Sequence, residues 1–80
     1  MDARTVEAMV CDAIAGAEVT VEGSGANYDI TVVSDVFDGM RPVKKQQTVY
    51  AALTDAIASG SIHAVNIYTH TPAEWESSGA

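Results

Sequence analysis

Few residues of this chain can ligate a metal through a thiolate or an imidazole: one cysteine, Cys11, and two histidines, His63 and His70. A neutral imidazole nitrogen binds iron, zinc or copper, and protonation of the ring in acid removes that bond. Seven positions separate the histidines, an odd interval that puts their side chains on opposite faces of a regular strand, so His70 reads as a surface residue. Cys11 projects away from the Val6, Val10 and Ile14 stripe and has Glu7 and Asp12 beside it. Negative neighbours disfavour the thiolate, and Cys11 reads as an inert free thiol.

The charged residues suggest binding rather than catalysis. Three of the four cations, Arg41, Lys44 and Lys45, fall within five residues and form a local basic patch on an acidic body. Such a patch can receive a carboxylate, a phosphate or an acidic protein surface, or it can be a solvated helix start. Cations at a helix N-terminus oppose the helix dipole, so helix stability does not account for them. Asp35, Asp38, Glu74 and Glu76 are not placed as a pair across a reaction centre. With no nucleophile and base, no phosphate-binding glycine loop and no dense ligand set, an enzyme is the least favoured class.

These side chains must be positioned by one small domain. Eighty residues leave room for a single core, since a chain of this size buries only about 60% of its unfolded surface. The net charge of −7 repels phosphate backbones and anionic lipid. A lone cysteine, no leader and no long apolar run read as a soluble, cytoplasmic protein that does not enter a membrane.

Periodicity then places the elements. Val6, Met9, Val10, Ala13 and Ile14 predict a helix over 2–15, stopped at Gly16. Val19 and Val21 begin a first strand, and Tyr28 to Ser34 a second, joined by a five-residue loop from Gly23 to Asn27. Val33 departs from the alternation of that second strand. Pro42 presets one long helix from about Val43 to Ser59, ended by Gly60, and Ile62 to His70 forms a third strand. Thr71, Pro72 and Glu74 make a helix start, with a frayed ending from Glu76 to Ala80. Trp75 and Tyr50 read as packing anchors. The order α-β-β-α-β plus a terminal helical turn predicts an α+β fold: a three-stranded sheet with helices on one face.

The residues Val33-Ser34-Asp35, Phe37, Gly39, Val49-Tyr50, Ile62-His63-Ala64 and Thr71-Pro72-Ala73-Glu74-Trp75, in this order, resemble the BolA family. The stretch FDGMRPVKKQQTVY is most similar to the branch called YrbA or IbaG. The resemblance implies an αββαβ fold like the class II KH domain. It also implies a stress-linked role beside a monothiol glutaredoxin in handling a [2Fe-2S] cluster, shared with that partner and its glutathione. Some members of the family are described as transcriptional regulators.

Within that resemblance, His63 matches the family's cluster-ligating histidine. Imidazole in place of thiolate on one iron changes the cluster's charge and potential. The alternative is a histidine that begins a strand and packs beside the helices, sharing the parity of Val65 and Ile67. Relatives that hold a cluster firmly carry a second Cys or His between the first two strands. Here Asn27 stands near that place, and a carboxamide is a poor ligand for such iron. At Lys44, Lys45, Gln46 and Gln47 many relatives carry Arg-His-Arg rather than Lys-Gln-Gln, so the positive charge of the patch with Arg41 is kept but a histidine is lost. The patch fits an acidic glutaredoxin surface, a glutathione carboxylate or, in a nucleic-acid-binding regulator, a phosphate. Against the latter, Gly39-Met40-Arg41-Pro42 keeps only the first glycine of a KH clamp. A homodimer is a further possibility.

Overall fold

Asp2 starts the first helix: its carboxylate accepts the Thr5 amide at 2.9 Å and the Thr5 hydroxyl at 2.8 Å. In the computed structural model, which describes residues 2–24 and 27–77, this helix, α1, spans Ala3–Ala13 and buries Val6 and Val10. The chain turns at Ile14 and enters β1, Glu18–Ser24, then β2, Asn27–Val33. The two strands pair antiparallel from Glu18 opposite Val33 to Ser24 opposite Asn27. The expected five-residue loop is thus too long: Gly23, Ser24 and Asn27 belong to the ladder, while Gly25 and Ala26 lie outside the described residues.

After β2 a short 3₁₀ turn, Asp35–Phe37, is capped by the buried Ser34, whose hydroxyl accepts the Val36 amide at 3.2 Å. The turn drives Phe37 into the centre of the core, fully buried. The expected single helix is then two, α2 at Pro42–Ala52 and α3 at Thr54–Ala58. The break falls at Leu53, whose side chain is fully buried and whose amide bonds back to Tyr50 O at 2.9 Å, one residue short of helical spacing. Beside it the Thr54 hydroxyl donates to Ala51 O at 3.1 Å, a local bond that competes with regular helix. Leu53 therefore reaches the core at a turn. Strand β3, Ala64–His70, follows, and α4, Pro72–Ser77, ends the described chain one residue beyond the start of the expected fraying.

The sheet order is β1-β2-β3, with β3 parallel to β2 in register from Asn27 opposite Ala64 to Val33 opposite His70. α1 lies against β1 and α2 against β3, so the helices cover the face that carries Tyr28, Ile30 and Val32. Val6, Val10, Ile14, Val49, Leu53 and Ile62 meet these side chains in one core, each contributing about 1.5–3 kcal/mol on burial. The opposite face is polar, as the Asn66 to Asp29 side-chain bond at 2.8 Å illustrates.

Val33, the break in alternation, is buried at the end of that polar face. Val33 and Trp75 line one cleft of about 220 Å³, and the Trp75 ring centroid lies 5.1 Å from that of His70. α4 thus folds over this end of the sheet. Trp75 is a packing anchor as expected, but its contact corrects the reading of His70 as a plain surface residue. Tyr50 is corrected the other way, for it is 47% exposed on α2.

Candidate functional site

Gly60 ends α3 at φ +81°, and the chain passes through Ser61 and the buried Ile62 to deliver His63 immediately before β3. Burial of Ile62 is what fixes this approach, since its side chain is held in the core on one side of the histidine. His63 itself is exposed, so the arrangement is not that of a histidine sequestered beside the helices. Its Nε2 lies 3.9 Å from the point where a Cβ on Gly60 would stand. The ring thus sits over a residue without a side chain, open to an incoming group.

Register puts His63 at the hairpin end of the sheet, because its neighbour Ala64 is opposite Asn27. Asn27 nevertheless belongs to β2 rather than to a loop. By strand alternation its side chain shares the polar face with Asp29, opposite to buried Tyr28, while His63 stands on the Gly60 side. The structure brings the two backbones together and keeps the two side chains apart. Among the described residues no group of three or more His, Cys, Asp or Glu is arranged to hold a metal ion. At this end of the sheet the chain thus presents one exposed imidazole, and a metal cluster held there would need further ligands from outside the described residues.

The basic patch lies at the other end. α2 runs back along β3, so its N-terminus is near the C-terminal end of that strand. Strand β3 spans about 20 Å at ~3.3 Å per residue, which separates the patch from His63. The structure also divides the three cations. Lys45, with its side chain only 16% exposed, lies 3.8 Å from Glu74 Oε1 and so helps to hold α4. Arg41 and Lys44 are exposed. Neither has a carboxylate partner among the described residues.

Glu74 and Thr71 form the reciprocal cap that their spacing predicts: the Thr71 amide donates to Glu74 Oε1 at 2.8 Å and the Glu74 amide to Thr71 Oγ1 at 3.2 Å. The Thr71 backbone and hydroxyl, with Lys45 adding its charge, hold the Glu74 carboxyl below its usual range. Partial burial, then Glu7 and Asp12, push the Cys11 thiol up, which agrees with an inert cysteine.

Sequence reasoning missed the α2 surface. Val43 is 68% exposed, and Gln46, Gln47, Tyr50 and Ala51 line a shallow groove of about 390 Å³. Beside it the Gln46 amide donates to Ile67 O at 2.7 Å, on the outer edge of β3. The signal was the i, i+4, i+7 spacing of Val43, Gln47 and Tyr50, which places them on one helix stripe.

The chain is similar over most of its length to proteins already described. It is 44% identical over 75 residues to "Acid stress protein IbaG" of Escherichia coli (strain K12), covering 94% of this chain and 89% of that protein. It is 43% identical over 54 residues to "DNA-binding transcriptional regulator BolA" of Vibrio cholerae, covering 68% of this chain and 50% of that one. Its fold superposes on a BolA protein homologue from Coxiella burnetii with a TM-score of 0.85 at 26% identity, covering 95% of this chain and 97% of that one. The family model described as BolA-like protein matches residues 6–74, and with the helices, mixed sheet and terminal helix found here the chain belongs to the BolA family.

Proposed function

We propose that this protein is a non-enzymatic, cytoplasmic adaptor that joins a monothiol glutaredoxin and donates a ring nitrogen of His63 to a [2Fe-2S] cluster carried between them. The observation that supports this most is the exposed imidazole over Gly60, presented at one end of the sheet on a fixed approach. With one ligand of its own, the chain shares the cluster rather than storing it; the glutaredoxin cysteine and its glutathione supply two more of the four ligands, and a further group from outside this chain completes the set. A link to stress is supported by the name of the IbaG relative.

The test is visible circular dichroism of a glutathione-loaded [2Fe-2S] glutaredoxin titrated with this protein. A saturable change that disappears with His63→Ala is expected. An unchanged spectrum with the native chain would end the adaptor reading, and an unchanged response in the variant would end the ligand role of His63.

The second reading is a nucleic-acid-binding regulator, favoured by the name of the Vibrio cholerae relative and by the exposed cations Arg41 and Lys44. Its binding would fall steeply with salt, because phosphate neutralisation releases counterions. Absence of binding at moderate salt would remove it.

A further inference from the structure

The outer edge of β3 has a built-in occupant. In a parallel strand the N–H and C=O of one residue point to the same side, and successive residues alternate. His70 O accepts the Ser34 amide on the β2 side, whereas Ile67 O accepts from Gln46 on the outside. Alternation therefore turns the backbone groups of Val65, Ile67 and Thr69 away from β2, toward an edge where no strand among the described residues pairs with them. Exposed edges of this kind are commonly blunted by a covering side chain, and Gln46 does so at one carbonyl.

Next to this edge lies the groove of Gln46, Gln47, Tyr50 and Ala51, continued along the helix by exposed Val43. A strand added to β3 would run about 4.8 Å from it, placing alternate side chains against that groove. The charge of the surface selects the occupant. Helix α2 contains no acidic residue, and Arg41 and Lys44 at its start have no carboxylate partner among the described residues, on a protein whose net charge is −7.

We infer that the β3 edge and the outer face of α2 form a docking site for an extended peptide with alternating apolar residues and an acidic end. The peptide adds a fourth strand through Val65, Ile67 and Thr69, its apolar side chains contact Tyr50 and Ala51, and its carboxylates meet Arg41 and Lys44. Gln46 is the plug that leaves Ile67 O as the peptide enters. This goes beyond the cluster reading, since His63 lies at the far end of the same strand.

The probe is the blocked heptapeptide EEVTVTV, titrated into the isotope-labelled full chain and followed by amide hydrogen exchange. Protection of the Val65, Ile67 and Thr69 amides is expected. Affinity should fall by about fivefold or more in the double variant R41E/K44E, from lost charge pairing across the interface, and should rise in Gln46→Ala. Thr69→Pro removes one outward donor and should weaken binding; if that variant fails to fold, R41E/K44E decides. His63→Ala should bind as the native chain does, so the docking site and the cluster ligand fail separately. The inference is overturned if the three amides exchange unchanged at millimolar peptide, if KKVTVTV binds equally well, or if only oligothymidylate protects them.

Discussion

Lys45 and Glu74 tie the start of α2 to α4, with Nζ and Oε1 3.8 Å apart, and the same carboxylate oxygen accepts the Thr71 amide. One group therefore caps the last helix and fastens it to the domain. Because its native pKa lies below the usual glutamate range, its contribution is complete at neutral pH and is lost as pH falls through that lowered value. Trp75, the sole tryptophan, reports the event. Its emission should change in a step below the ordinary glutamate range. Glu74→Gln should remove the step, and a step that persists in the variant would assign it elsewhere, with the Asp2 cap, lowered for the same reason, as the alternative.

The contrast between caps and faces explains what could be read from the chain. Thr71, Pro72 and Glu74 act within four residues, so their spacing alone determines their bonds. The α1 stripe and the order of elements were legible for the same local reason. The helix break at Leu53 was not, because Leu53 sits at a turn only to enter a core whose other members come from distant segments. The position of His63 was readable, but its side relative to Asn27 was not, since that depends on the register of two strands 37 residues apart. The division of the basic patch likewise depends on Glu74, a partner outside the local sequence.

Asn27→His should not complete a two-ligand site. Its imidazole would project to the polar face with Asp29, away from His63. Under the proposed adaptor role, the dichroism of a cluster shared with a glutaredoxin should match that of the native chain. A strengthened signal, or a longer-lived cluster, would show that the hairpin end rearranges when partner binds.

Two glycines should respond differently to alanine. At Gly60 the left-handed φ of +81° costs a side chain about 1–2 kcal/mol, with nothing closer than the His63 ring. At Gly23, φ +123° is joined by collision of the new Cβ with the Asn27 carbonyl oxygen, a backbone atom that cannot swing aside. Urea denaturation should rank Gly23→Ala well below Gly60→Ala in stability. Equal losses would mean that the hairpin yields without cost.

Phe37→Ala should remove about 3–5 kcal/mol, because Phe37 is fully buried at the junction of sheet and helices. In so small a domain that leaves little net stability. A urea midpoint near the native one would show that the 3₁₀ turn can collapse into the vacated space.

The parallel pairing of β2 and β3 also sets a schedule. β1 and β2 are joined by a short connection and can meet early, whereas Asn27 and Ala64 must close a loop of more than thirty residues, including both crossover helices. Non-local pairing of this kind is slow to form because chain entropy is lost before contacts reward it. His63, one residue before the start of β3, is thus seated by the latest event of folding. A nascent or partly folded chain carries the histidine but not its geometry, so under the proposed cluster role iron would meet a formed ligand only in the finished molecule.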